Sequence, residues 1–298
     1  MTKRFITAAW VCTAALWSGG CSDGAGDVDG VPPPSTGWAP IIAADWSLDP
    51  GTERYLCVRT TLERDIDAHA FQAVAPNGTH HTVLTVGPPT GPDGVTECDS
   101  FDNHDVLVYG SGLGAEPFEL PDGVAVRIEA GQQLLLNLHL YNVTAEPMSA
   151  RSEIRAMLAD PETIHDFAEG LLVGPMDLSI PPGEHTVGGG CTFEDEAYLF
   201  GVAPHMHQLG RHMKVVANSH AAGPVTIHDE AYAFEDQQPE RVDPVVRMLP
   251  GDRIEVECTY QNTGASTVSW GESSDAEMCF AGIYRYPKRD GGFFVCTQ

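Results

Sequence analysis

The stretch Leu134-Leu135-Leu136-Asn137-Leu138-His139-Leu140-Tyr141 decides the fold class. Side chains on a β-strand alternate between its two faces, so the leucines at even positions share one apolar, core-facing side. His139 lies on the other face with Asn137 and Tyr141, where a rigid strand can hold a ligand in place. Similar short alternations between Gly, Pro, Asn and Asp residues predict further strands. They cover residues 55–60, 106–109, 124–128, 215–216, 254–260 and 281–286.

This pattern predicts an all-β protein with two tandem antiparallel β-sandwich domains. The chain has 298 residues, which is enough for two cores. We place the first domain at 41–160 and the second at 161–298, with a boundary in the region from Ala159 to Leu172. Residues 21–40 are rich in Gly, Asp, Pro and Ser, and are predicted to form a disordered tether. Only Glu162 to Gly170 has a weak helical pattern.

The N-terminus is typical of an export signal. Lys3 and Arg4 precede a mostly apolar run, Phe5 to Trp17, that is too short to span a bilayer. Residues 1–20 are therefore predicted to be a signal peptide. Small residues precede Cys21, as in bacterial lipoprotein signals whose cysteine is lipidated, and ordinary cleavage after a small-x-small site is the alternative. Both routes predict export to the bacterial cell envelope, either lipid-anchored or else periplasmic or secreted.

The strongly acidic composition argues against nucleic acid as a partner. The chain carries 16 basic and 42 acidic residues, for a formal net charge of -26. Such a surface repels phosphate backbones and anionic lipid headgroups. A membrane association is therefore expected only through a lipid anchor at Cys21.

The cysteines that follow Cys21 are expected to form disulfides. They are even in number, and none of them has C-x-x-C spacing, so an oxidising compartment favours three disulfides over thiolate metal sites. A metal would then be bound by His, Met or carboxylate groups. The cysteines are Cys57, Cys98, Cys191, Cys258, Cys279 and Cys296.

Each half of the chain contains a group of histidines. His205 and His207 form an H-x-H pair whose side chains point the same way in an extended segment. With Met278 they would make a soft ligand set that suits Cu(I) and suits zinc poorly. In the first half, His80 and His81 follow Asn77-Gly78. Adjacent histidines point to opposite faces of a regular strand, so they can share a metal with His139 only at a turn or bulge. Packed or solvated histidines are the alternative for any of these residues taken alone.

Several motifs together resemble one family, the copper type II ascorbate-dependent monooxygenases, which includes peptidylglycine alpha-hydroxylating monooxygenase and dopamine beta-monooxygenase. The resemblance extends from Tyr55-Leu56-Cys57 to Cys296, and its order and spacing across both halves are specific. The matching motifs are His80-His81, Asn137-Leu138-His139, Ile180-Pro181-Pro182-Gly183-Glu184, His205-Met206-His207-Gln208-Leu209-Gly210, Gly251-Asp252, Ser274-Asp275-Ala276-Glu277-Met278-Cys279 and Tyr284-Arg285-Tyr286-Pro287.

The resemblance implies two jelly-roll-like β-sandwiches that face each other across a solvent-filled cleft, with one copper ion in each. The electron-supplying copper would be bound by His80, His81 and His139. The copper that activates oxygen would be bound by His205, His207 and Met278, which would be the catalytic residues. The implied disulfides are Cys57–Cys98, Cys191–Cys296 and Cys258–Cys279.

The implied activity is hydroxylation of an activated C–H bond of a small substrate, with O2 and with ascorbate or an equivalent one-electron donor. Tyr55 matches a tyrosine that lies near the substrate in the peptide-hydroxylating branch. That branch has an arginine where this chain has Ala203, so a peptidylglycine substrate is not expected. It also has an asparagine and a tyrosine where this chain has Phe280 and Gly282. The alternatives are a non-catalytic copper-binding or electron-transfer envelope protein and a metal-free interaction module.

Overall fold

A computed structural model describes residues 37–99, 102, 104, 106–112, 114, 116–234, 237–271, 275–289, 295 and 296. The predicted signal peptide at 1–20, the proposed lipidation at Cys21 and most of the predicted tether lie outside these residues. Among the described residues, no helix is both long and apolar enough to cross a membrane.

The described part of the chain consists of strands joined by turns, with one 3₁₀ turn at Pro161–Thr163 and no α-helix. The first half contains β1 (Trp38–Leu48), β2 (Glu53–Thr61), β3 (Ile66–Val74), β4 (Thr79–Gly87), β5 (Gly94–Glu97), β6 (Val106–Gly112), β7 (Phe118–Glu119), β8 (Val124–Ile128), β9 (Gln133–Tyr141), β10 (Met148–Leu158) and β11 (Asp166–Phe167). The second half contains β12 (Glu169–Val173), β13 (Ser179–Ile180), β14 (Gly183–Thr192), β15 (Ala197–Met206), β16 (Gly210–Ser219), β17 (Gly223–Ala231), β18 (Glu240–Met248), β19 (Arg253–Asn262), β20 (Val268–Ser269), β21 (Cys279–Tyr286) and β22 (Val295–Cys296).

Two sheets make up the first half. One has the order β1-β10-β3-β8-β11 with β7 beside β3, and the other has the order β5-β2-β9-β4-β6. Their pairings are antiparallel except for the short β8–β11 pair. Buried side chains from both sheets form one hydrophobic cluster, which includes the even-numbered leucines of β9. The sequence predicts this apolar face correctly, and burial of this surface supplies most of the driving force for folding.

The second half has a sheet of order β18-β15-β21-β12-β22, a sheet of order β14-β19-β16-β17 and a small β13-β20 pair. Buried side chains of the two larger sheets form a second hydrophobic cluster. Phe200 and Tyr284 belong instead to the cluster of the first half, where Tyr284 packs against Phe118 at 4.7 Å between ring centroids. The two halves are therefore joined by an aromatic contact as well as by the chain.

The predicted all-β class is confirmed, but three local expectations need correction. The weak helical pattern at Glu162 to Gly170 does not produce an α-helix, since this segment contains the end of the 3₁₀ turn, β11 and the start of β12. Strand β1 begins at Trp38, inside the segment predicted as tether, because Trp38, Ala39 and Pro40 pair with β10. Strand β11 pairs with β8, so the sheets of the first half extend to Phe167, beyond the predicted end at residue 160.

A β-bulge interrupts β4 where the histidines lie. Thr79 is opposite Leu140 on β9 and His81 is opposite His139, so His80 is the extra residue of the register shift. The turn before it requires Gly78, whose φ is +97°. A Cβ on Gly78 would lie 2.7 Å from the indole ring of Trp46. That indole is held by a 2.8 Å hydrogen bond from its Nε1 to Ser152 Oγ, so it cannot easily move aside.

We predict that Gly78→Ala lowers the free energy of unfolding by more than the strain of a positive φ, which is about 1–3 kcal/mol. The additional loss comes from the steric clash with Trp46. Gly51→Ala is the matched control, because Gly51 has a φ of +66° and open space around its Cβ position. Urea unfolding of the two variants measures the difference, and equal losses would show that the contact with Trp46 does not restrict residue 78.

Candidate metal centres

Three imidazoles of the first half converge on one point. The Nδ1 atom of His81 lies 3.1 Å from that of His80 and 3.4 Å from that of His139. Three nitrogens bound at about 2.0 Å around one metal ion lie roughly 3.5 Å apart, so this spacing fits a shared ion. Nitrogen lone pairs that face each other repel, and a cation between them removes this repulsion. The donor set is therefore suited to a metal.

The bulge in β4 makes this convergence possible. In a regular strand, the side chains of His80 and His81 would point to opposite faces. The extra residue rotates His80 to the face of His81, and register pairing places His139 directly opposite on the neighbouring strand. The sequence predicts that His80 and His81 can share a metal with His139 only at a turn or a bulge, and the structure has a bulge there.

Strand β2 fixes the orientation of His139. Glu53 accepts a 2.5 Å hydrogen bond from Nε2 of His139, so the proton is on Nε2 and the lone pair of Nδ1 faces the other two histidines. The ring of Tyr55 stacks on His139 with 4.3 Å between ring centroids and an interplanar angle of 6°. Tyr55, which the sequence assigns to a substrate contact, therefore contacts a proposed ligand.

Desolvation keeps His81 and His139 neutral, as metal ligands must be. It lowers the pKa of His81 well below its usual value, and the neighbouring His139 and His80 lower that pKa further. Desolvation also lowers the pKa of His139, although Glu53 opposes this shift. On the face that the sequence predicts to be polar, His139 and Asn137 are each 2% exposed, whereas Tyr141 is 44% exposed.

The H-x-H pair of the second half lies at the end of β15, with His205 and His207 at 5.3 Å between ring centroids. Nδ1 of His207 donates a 3.0 Å hydrogen bond to the carbonyl oxygen of Ala276. Nδ1 of His205 lies 2.8 Å from Oε1 of Gln237. In both rings the outer contact is made by Nδ1, so Nε2 is the nitrogen available to a metal. Desolvation lowers the pKa of His205, although Gln237 opposes this shift.

Register pairing puts Met278 next to this pair. His205 is opposite Phe280 and Met206 is opposite Cys279 on β21, so His207 and Met278 are the next residues along this ladder. Directly opposite residues share a face of the sheet. Met206 and Cys279 point into the core of the second half, whereas His207 and Met278 lie outside that cluster. Met278 is buried with 5% exposure, as expected for a thioether held in place.

Glu277 holds the backbone at and after His207 in place. Its fully buried carboxylate accepts hydrogen bonds from the backbone N–H groups of His207, at 2.9 Å, and Leu209, at 2.6 Å. Burial raises the pKa of Glu277 to about 7, although these N–H groups oppose the rise. The sequence analysis includes Glu277 only within a motif, and its adjacency to Met278 is the signal that could have identified it.

The two histidine groups lie close together. His205 and His207 contribute electrostatically to the lowered pKa of His81. The ring of Phe234 lies 4.6 Å from that of His80 and 6.4 Å from that of His207, measured between centroids. Phe234 therefore contacts one histidine of each group. No sequence pattern marks Phe234 as part of the site.

All three implied disulfides are confirmed: Cys57–Cys98, Cys191–Cys296 and Cys258–Cys279. The last of these joins β19 to the residue that follows Met278. Tyr260, also on β19, donates a 2.7 Å hydrogen bond to the carbonyl oxygen of Met278. The backbone around Met278 is therefore held from two sides. Disulfides form and persist in oxidising compartments, so this chain is an exported protein.

Comparisons with known proteins agree with this arrangement. Residues 168–298 match the family model of the C-terminal domain of copper type II ascorbate-dependent monooxygenases. The chain is 27% identical over 214 residues to DBH-like monooxygenase protein 1 of Gallus gallus, which covers 64% of this chain and 34% of that protein. It is 24% identical over 269 residues to putative DBH-like monooxygenase protein 2 of Homo sapiens, with 79% and 54% covered. The chain thus spans about a third to a half of the length of these relatives.

We predict that Glu53→Leu weakens metal binding by the three histidines of the first half by about 10–100-fold, the usual effect of losing the outer hydrogen bond of a ligand. Glu53→Gln should keep most of the affinity, since its amide oxygen still accepts from His139. Glu97→Leu is the control, because Glu97 pairs with exposed Arg54 and has no contact with the histidines. Competition titration with a chromophoric copper chelator measures all three variants. An affinity unchanged in Glu53→Leu would contradict the assigned role.

Proposed function

This chain belongs to the copper type II ascorbate-dependent monooxygenase family, and from that membership we propose that it hydroxylates an activated C–H bond of a small substrate. The co-substrates are O2 and ascorbate or an equivalent one-electron donor. One oxygen atom enters the new C–OH group and the other leaves as water, which consumes two electrons from the donor and two protons. Copper bound to the chain would supply the one-electron chemistry and the activation of O2.

This proposal rests on one observation: the side chains that could bind copper form two separate groups. His80, His81 and His139 direct Nδ1 atoms toward one point. In the other half, His205 and His207 keep Nε2 for a ligand, and Met278 follows in register. A three-imidazole set serves both oxidation states of copper, whereas a thioether favours Cu(I). Simple metal binding needs only one such site, so the presence of both favours redox chemistry.

The residues around the sites have defined roles in this proposal. Glu53 and the carbonyl group of Ala276 hold one ligand ring each, so little rearrangement is needed when a metal binds. Desolvation lowers the pKa of His81 and the pKa of His205, which keeps both rings neutral for a metal. The assignment of His205, His207 and Met278 as the catalytic set, and of two copper ions per chain, belongs to this proposal.

Ala203, Phe280 and Gly282 replace the arginine, asparagine and tyrosine of the peptide-hydroxylating branch, so none of these three positions is charged. Ala203 is opposite Gly282, and Phe280 is opposite His205, so these positions offer small or apolar side chains. This favours a small substrate that is not held by its carboxylate. Tyr55 stays a proposed substrate contact, at the stacked ring of His139.

The proposed location is the bacterial cell envelope, with a lipid anchor at Cys21 as the only membrane contact. The alternative route is ordinary signal cleavage and release to the periplasm or the medium. The net charge of -26 supports the absence of a nucleic-acid partner.

We predict that wild-type protein loaded with copper holds two ions per chain and transfers one ¹⁸O atom from ¹⁸O2 to a member of a library of small compounds with benzylic or heteroatom-adjacent C–H bonds. Met278→Leu keeps the side-chain volume but removes the sulfur, so product formation should fall by about 100-fold or more while the three-histidine site stays loaded. Met213→Leu is the matched control, because Met213 is fully buried in the core of the second half.

Copper analysis, oxygen uptake with ascorbate and mass spectrometry give the result. Fewer than one copper ion per chain in the wild type would refute the copper assignment. Two ions with no ¹⁸O product would favour the alternative function, a copper-binding or electron-transfer protein. Full activity in Met278→Leu would refute the role of Met278.

A further inference from the structure

Gln237 contacts both halves of the molecule at the point where the two histidine groups approach each other. Its side-chain Oε1 lies 2.8 Å from Nδ1 of His205. Its backbone carbonyl oxygen accepts a 2.6 Å hydrogen bond from the N–H group of Gly112 on β6. Gly112 is the register partner of His81 on β4. One residue thus links a proposed ligand of the second site to the strand beside the first site.

The orientation of the Gln237 amide is fixed by a third contact. Nε2 of Gln237 donates a 2.9 Å hydrogen bond to the carbonyl oxygen of Phe234. A carbonyl oxygen only accepts, so the NH2 group of the amide must face Phe234 and the amide oxygen must face His205. An amide oxygen also only accepts, so His205 must carry its proton on Nδ1. The unprotonated nitrogen is then Nε2.

The contact with Gly112 adds a constraint on position. Gln237 is held to the first half by the Gly112 bond, and Phe234 is held there by the contact of its ring with His80, with 4.6 Å between centroids. The hydrogen bond to His205 therefore acts from a support that belongs to the other half of the molecule. A ligand held from a fixed outer partner keeps its ring angle and its tautomer.

We propose that Gln237 is a positioning residue that holds His205 in the Nδ1-protonated tautomer from an anchor on the first half, and so presents Nε2 of His205 to a metal ion. The inference rests on the proposed function in one respect, namely that the ion is copper. The tautomer itself is a property of the protein without metal, so it can be tested whether or not hydroxylation occurs.

The first test is ¹⁵N NMR of the imidazoles in the full-length, metal-free protein, with His205 identified by the signals that disappear in His205→Gln. The wild type should show His205 protonated on Nδ1. Gln237→Leu should give a mixture of the two tautomers or a shift to Nε2–H, and Gln237→Glu should restore the Nδ1–H form because a carboxylate also accepts.

Gln238→Leu is the matched control. Gln238 is the next residue and also bonds to the first half, through a 3.3 Å hydrogen bond from Glu116 N–H to its Oε1. Its amide oxygen accepts from Glu116, whereas that of Gln237 lies against His205, so the Gln238 variant should keep the wild-type tautomer. A wild-type His205 protonated on Nε2, an unchanged tautomer in Gln237→Leu, or an equal change in Gln238→Leu would each overturn the proposal.

The second test is copper affinity, measured for each site by titration with Cu(I) against a chromophoric chelator. Gln237→Leu should weaken binding at the His205 site by about 10–100-fold and leave the three-histidine site unchanged. Gln237→Glu should recover most of this affinity. Equal weakening at both sites would indicate a general structural defect and would overturn the positioning role. If the tautomer test succeeds and the wild type binds no copper, the proposed function fails and the role of Gln237 in the tautomer of His205 stands.

Discussion

His139, His205 and His207 must each give the one ring proton to an outer partner, so that the other nitrogen faces the metal. This requirement determines much of the surrounding structure. A carboxylate on β2, a backbone carbonyl group near β21 and an amide oxygen from another segment accept these protons from His139, His207 and His205. The partners lie far from their histidines in the sequence, so each ligand ring is oriented only after these parts of the chain have folded together. A neutral, buried imidazole with its proton directed outward is also the form that binds metal without first losing a proton.

The two halves are held together by aromatic packing. Phe200 and Tyr284 enter the core cluster of the first half, and Phe118 packs against Tyr284. Closer to the sites, Phe234 lies against His80, and Gln237 accepts a hydrogen bond from Gly112 on β6. The histidine groups are therefore kept near each other by contacts in two places.

The sequence predicts the strands and the core face of β9 because alternation and burial are local properties of a strand. It also predicts that His80 and His81 need a bulge, since two neighbours cannot otherwise share a face. The disulfide pairs follow from the family resemblance, because six cysteines alone allow many pairings. Trp38 could not be assigned from local composition, as its strand depends on pairing with residues far along the chain.

The outer partners of the ligands could not be predicted in the same way. Glu53 has a weak signal, because it lies on the same strand face as Tyr55. Gln237 has none, since His205 and Gly112, which it contacts, are both far from it in the sequence. Hydrogen bonds of this kind are formed between residues far apart in sequence, and no periodicity records them.

The single extra residue in β4 also limits how this centre could arise in an ancestor. Replacing amino acids in a regular strand changes what each position carries but never which face it points to, so two neighbouring positions cannot be brought to one side by substitution. The centre therefore requires a change in chain length, such as the insertion of one codon. Loss of one codon here would restore regular pairing and erase the three-nitrogen site in one event, without exposing any of the core. Gain and loss of this centre in evolution are thus expected to leave a length difference within β4, at His80.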